Sequence, residues 1–273
     1  MKPFLIILSI VLVIPASSAL AFDHQHAQWD RLLKSHVFWG EDGSASWVRY
    51  SDFKTDRTAL KTYLSELSAV PRSKFDGWTK PQQLAFLINA YNAFTVELIL
   101  TEYPDIDSIK DLGSFFSNPW KKEFFTLIGE KRHLDWVEHD VIRAPEAYNE
   151  PRIHFVVNCA SIGCPALRPE ALTADRLESQ LADSTTRFLR DESRNRYIPD
   201  ENTLAVSKIF DWYGEDFERG WGGYNSLEEF FAAHADPLAD SDAGRQRIKA
   251  GDVAIDFLDY DWSLNDAARM PSQ

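Results

Sequence analysis

Cys159 and Cys164 are the two cysteines of the 273-residue chain, and both lie in Asn158-Cys159-Ala160-Ser161-Ile162-Gly163-Cys164-Pro165. The apolar run 153–157 before them reads as a central strand, so Cys159 would stand where that strand leaves the core for a loop of small residues, within a substrate's reach. A thiol attacks as thiolate and needs a base or a cation beside it. His139 and His154 are the nearest histidines on either side. On a helical wheel, Leu134, Val137, Val141 and Ile142 form an apolar arc that leaves His139 outside, toward solvent or a cleft. Glu138 falls within the arc, where a carboxylate demands a partner such as Arg143, Arg152 or an imidazole. On a regular strand His154 would be out of phase with Cys159 and on the opposite face, which makes it a secondary candidate with Asn158 and Cys164. Two states stay open for the sulfurs, a free thiol at Cys159 or a small disulfide loop.

Asn89 and Asn92, three apart on one flank of a strongly apolar helix, must be hydrogen-bonded if buried. They either tie the helix to loop backbone or supply an oxyanion donor and orient a catalytic histidine. Cys159 as nucleophile, His139 as base and then acid, Glu138 orienting or charging it, and Asn89 or Asn92 with loop amides at the oxyanion describe hydrolysis or acyl transfer on a peptide-like or amide substrate. The rival is a non-catalytic envelope binding module with a Cys159–Cys164 disulfide, in which Trp212, Tyr213, Trp221 and Tyr224 recognise a peptide or glycan. Thiol redox chemistry is a third reading, without Cys-x-x-Cys spacing. No zinc signature, phosphate loop or Gly-x-Ser-x-Gly elbow occurs, so no cofactor is expected. The one metal candidate is the terminus Phe22-Asp23-His24 that cleavage after Ala21 would expose. Its amine, amides and third-position imidazole suit Cu(II) or Ni(II), with His26 as a further ligand.

The elements that must position these groups read mostly as helices. Residues 24–36 and 55–69 are amphipathic, and 81–103 is apolar nearly all round, with Glu97 the one charge between Leu84 and Leu100. Two Asn within its apolar stretch argue for a core helix rather than a membrane span. A hairpin is expected at 124–128 and 133–134 around Gly129-Glu130-Lys131, a short helix at 135–142, and a helix from a Thr173 cap to about Arg190. A second hairpin (197–198 with 204–206), a Ser226-capped helix and a last strand at 253–257 follow. Few strands set between helices indicate an α+β fold with a small, mainly antiparallel sheet.

Composition bounds the partners. Lys+Arg 29 against Asp+Glu 42 gives a net charge of −13 with no dense basic run, which speaks against nucleic acid. A short positive start, an apolar run from Phe4 to Ile14 and Ala19-Leu20-Ala21 describe a signal peptide over 1–21, hence a periplasmic or secreted protein that does not span the membrane after cleavage. The remaining acidic surface, Asp236, Asp240 and Asp242 included, is a solvated face.

The motifs FLINAYNAFT (86–95), VEHDVIR (137–143), PRIHFVVNCASIGCPAL (151–167), SKIFDWYGEDF (207–217) and DYDWSLN (259–265) together resemble the domain-of-unknown-function 547 family. The resemblance covers roughly 70–266, which leaves 22–69 as an N-terminal helical segment and 267–273 as a tail, and it suits an exported bacterial member. In plant members the position matching Cys164 is Ser and that matching His154 is not His, so the resemblance implies a Cys159/His139 pair and a fold that does not require the disulfide. The architecture is loosely similar to papain and transglutaminase-like enzymes, at fold level alone and with the His before the Cys.

Overall fold

The computed structural model describes residues 21–114 and 117–270. Its organising element is the helix Lys80–Leu100. Thr79 and Gln82 form a reciprocal capping box at its start, and Pro81 occupies the first turn, where its missing N–H leaves no donor unpaired. From Gln83 to Leu100 every residue except Glu97 is buried. The helix is long and apolar enough to cross a membrane by length and composition, yet 94% of that window lies inside the protein. It is the core helix its two asparagines indicated. Helix Arg57–Ser68 packs on it and buries Leu60, Leu64 and Leu67, and helix Ala27–His36 packs in turn on Arg57–Ser68, burying Trp29, Leu32 and Leu33 with Trp29 stacked on Tyr63. Each such side chain contributes about 2 kcal/mol by leaving water.

A second core gathers Phe188 from the helix Leu177–Arg190 and Phe210, Phe217, Phe230 and Phe231 from the short helices after residue 207, around Phe155. Residues 153–157 join the two cores: Ile153, Val156 and Val157 belong to the first and Phe155 to the second.

The fold is α+β, but the strands among the described residues form three separate small sheets. Val37–Trp39 pairs with Ser46–Val48 and Phe125–Leu127 with Glu130–Arg132, each antiparallel. Arg196–Ile198, Thr203–Val206 and Ala254–Phe257 make the third, whose last pair is parallel. The first expected hairpin is shorter than its apolar pattern implied, because Ile128 and Gly129 both take positive φ and turn the chain in two residues. Thr173 does not cap the helix expected after it. The helix begins at Leu177 without a side-chain cap, while Arg176 donates to the Thr173 hydroxyl. Ser226 does cap Leu227–Ala233, through the Glu229 amide.

The correction that matters most for the site is at 153–157. Pro151–Phe155 is a 3-10 turn, not a strand. Pro151 sits in its first turn and Glu150 accepts the Arg152 amide, which starts a helix. Beyond it, Asn92 takes the Val156 carbonyl and the Asn158 amide that a strand would have offered to a neighbour. The 1–21 signal segment lies, apart from Ala21, outside the described residues.

Candidate functional site

Cys159 and Cys164 are bonded as a disulfide, so neither is a free thiol. The Tyr260 hydroxyl donates to both sulfurs, at 3.1 and 3.0 Å, and itself accepts from Ser161 at 3.1 Å. Cys164 Sγ also accepts the Cys159 amide at 2.9 Å. The loop is fixed from every side. Asn158 donates to the Pro165 carbonyl and accepts from the Ala160 amide, and Arg194 donates to the Cys164 carbonyl. The amides of Ile162 and Gly163 bond to the carbonyls of Ser263 and Asp261. Gly163 has to be glycine, because a Cβ there would lie 2.9 Å from the Tyr260 ring. Cys159 therefore stands in a stitched loop after a 3-10 turn, not at the end of a sheet.

The asparagines expected near the chemistry are structural. Asn89 donates to the Leu172 carbonyl at 2.7 Å and accepts its amide at 3.1 Å. Asn92 does the same for Val156 and Asn158, at 2.9 and 2.8 Å. Each amide bridges a backbone carbonyl and a backbone N–H, and neither asparagine lines the cavity that Cys159 shares.

The two histidines differ in their partners. Both line one cavity with Cys159, Cys164 and Glu138. The opposite faces assigned to His154 and Cys159 do not survive the loss of the strand. His139 is carried by the π-helical turn Trp136–Ile142, and its Nδ1 accepts from Arg143 at 2.5 Å. Arginine only donates, so the one lone pair of the neutral ring is taken, and the other nitrogen lies 3.8 Å from Asp135 and 4.0 Å from Glu138. His139 is thereby excluded as the base in this arrangement. His154 instead donates Nε2–H to Asp216 at 2.7 Å, which leaves Nδ1 for the cavity. Burial lowers the His154 pKa against the pull of Asp216. Although burial alone would raise it, Asp216 is held at a pKa of about 2 by its hydrogen bonds to His154 and Arg143. Arg219 adds a further ion pair to the same carboxylate.

Glu138 is buried as the wheel placed it, but its partners are hydroxyls. With burial, its carboxylate pushes the pKa values of Tyr91 and Tyr213 up through charge and hydrogen bonding. Arg143 is spent on Asp216 and His139, and Arg152 lies away on Glu150 and Glu178. Of the expected aromatic recognition set, Trp212 and Tyr213 line the cavity. Trp221 is buried under Arg219, and Tyr224 packs on Phe230 and His234. The N-terminal metal candidate also fails at its second ligand. His26 is buried with Nδ1 2.7 Å from the Tyr63 hydroxyl, and His24 packs on Trp78.

Residue type and spacing do not single out Asp216, Tyr260, Trp262, Trp120 or Asp135 as chemistry-bearing. Asp216, Tyr260 and Trp262 were within reach, since they lie in SKIFDWYGEDF and DYDWSLN, which converge with PRIHFVVNCASIGCPAL on this cavity of about 220 Å³. Residues 75–189 match the model of the family described as "Protein of unknown function, DUF547". No curated protein and no solved structure matches the chain.

Proposed function

Residues 75–189 belong to the DUF547 family, and from that premise we propose that the chain is a thiol-dependent hydrolase or acyl transferase whose nucleophile, Cys159, is stored as a disulfide. The observation that carries this reading is the buried His154–Asp216 pair on the wall that Cys159 shares. A dithiol donor reduces the Cys159–Cys164 bond with two electrons and two protons, becomes a disulfide itself and leaves two thiols. Cys159 is the partly exposed one of the two. His154 Nδ1 takes its proton, and Asp216 steadies the imidazolium. The thiolate adds to an amide carbonyl, the C–N bond breaks, and the imidazolium returns the proton to the leaving amine. Water or an amine then attacks the thioester, giving its proton to His154, and Cys159 leaves as the thiol. Loop amides are already committed, so the oxyanion donors in this scheme are the Tyr260 hydroxyl and the Cys159 amide, which reduction releases from Cys164 Sγ. Export through the 1–21 segment belongs to the same proposal, because an oxidising compartment forms and keeps the disulfide.

Alkylation of the folded protein followed by mass analysis tests it. No adduct is expected before reduction. After reduction, Cys159 should label well below the ordinary thiol pKa of about 8.5, and His154→Ala should move that labelling up toward it. Labelling of Cys159 only near the ordinary thiol pKa, unchanged by His154→Ala, overturns the enzyme. That outcome supports the second reading, a non-catalytic binding module, which the disulfide itself favours.

A further inference from the structure

The walls of the same cavity select a ligand chemistry. Trp120, Trp212, Tyr260 and Trp262 line it as mutually tilted rings: Tyr260 to Trp262 at 4.5 Å and 50°, Trp212 to Tyr260 at 4.8 Å and 49°, and Trp120 to Trp262 at 5.9 Å and 68°. Trp212, at 44% exposure, is the one exposed large hydrophobic among the described residues, and it stands at this cavity rather than in a packed interface. Among the described residues no lysine or arginine lines the space, while Asp135 and Glu138 do. Among the described residues Asp135 has no ion-pair contact closer than His139 at 3.8 Å, so its charge is available to the cavity. Aromatic faces attract cations through their quadrupole, and here Lys110 already lies 3.7 Å over the Trp262 ring. Concave aromatic walls and the Asp135 carboxylate favour a cation over a neutral ring or an anion.

We propose that the cavity seats the ammonium group of an amine-bearing ligand against Trp212 and Tyr260, with Asp135 supplying the countercharge. The inference rests on reading this cavity as the substrate site. Two sources share the chemistry: a small alkylated ammonium compound and a lysine side chain of a peptide.

Calorimetry on the oxidised, unreduced protein, with choline, tetramethylammonium and Nα-acetyl-lysine methylamide as probes, tests it without any catalysis. Saturable binding of at least one cation is expected, with 3,3-dimethylbutanol, the neutral isostere of choline, roughly tenfold weaker. Trp212→Ala should weaken binding roughly tenfold and Asp135→Asn severalfold, in proteins whose circular dichroism is unchanged. Tighter binding of choline assigns an alkylated ammonium, and tighter binding of the lysine amide assigns a peptide. Absence of saturable binding by all three cations, equal binding of the neutral isostere, or indifference to both substitutions overturns the proposal. Because Cys159 is locked in this measurement, failure of thiol chemistry after reduction and failure of ammonium binding are separate results.

Discussion

Asp216 is fully buried and accepts from three side chains, His154 and two arginines. Its negative charge is what permits Arg143 and Arg219 to sit there, and its orientation decides which nitrogen of His154 faces the cavity. Asp216→Asn removes the charge and keeps the shape. With two partly buried guanidinium groups left unbalanced, the variant should lose about 3 kcal/mol of stability, read as a lower urea midpoint with unchanged slope. A loss below about 0.5 kcal/mol, the size of a surface pair, would show that the carboxylate is not the hub. Residue types alone marked Cys159, His139, Glu138 and His154, and all four line one cavity. Which imidazole could act as a base was not legible. It depends on Arg143 occupying His139 and on Asp216, 62 residues from His154, holding the other ring.

At the level of elements, the legible parts were those with a regular period. The helices Ala27–His36 and Arg57–Ser68 carry their buried stripes at helical spacing, and the expected Pro81 start of the core helix falls two residues after its capping Thr79. The run at 153–157 misled because apolar residues buried on both sides look alike in a strand and in a 3-10 turn between two cores. The two-point amide clamp from Asn92 that decides the matter comes from 64 residues upstream. The Cys159–Cys164 loop follows the same logic, since its shape rests on noncovalent ties as well as on the disulfide. Asn158, Arg194 and the backbone of 261–265 hold it. So short a closed loop removes little entropy from the unfolded chain, and reduction should cost about 2 kcal/mol. Urea unfolding with and without a phosphine reductant should show a lower midpoint and a chain still folded at zero denaturant. Loss of the folded signal on reduction alone would mean that the disulfide, not the ties, makes the loop, and a reduced Cys159 would then have no site to act in.

At the scale of the whole molecule, burial favours the neutral imidazole at His26 and His154. His26 sits against Phe22 and Tyr63 beside the first core, 1% exposed, with its pKa lowered to about 3 by burial. His154, stacked on Tyr213 and against Phe217, is lowered for the same reason. Between a folded pKa near 3 and the unfolded value of about 6.5, the unfolded chain binds the additional proton, so stability rises with pH across that window and is lost on acidification from 6.5 downward. The buried carboxylate has a different window. Asp216, at about 2 against the ordinary 3.8, contributes stability above 3.8 that disappears as pH falls toward 2. The protein should therefore weaken from about pH 6.5, well before its ion pairs titrate, with His26 alone accounting for about 2 kcal/mol between pH 6.5 and 5. His26→Asn isolates that share: an amide can meet the Tyr63 hydroxyl where Nδ1 now lies, whichever group donates, and it carries no titrating proton. Whatever the substitution costs at pH 7, its urea midpoints at pH 7, 6 and 5 should fall less steeply than those of the parent chain. Parallel declines would place the acid sensitivity elsewhere, with His154 and its Asp216 partner the next residues to substitute.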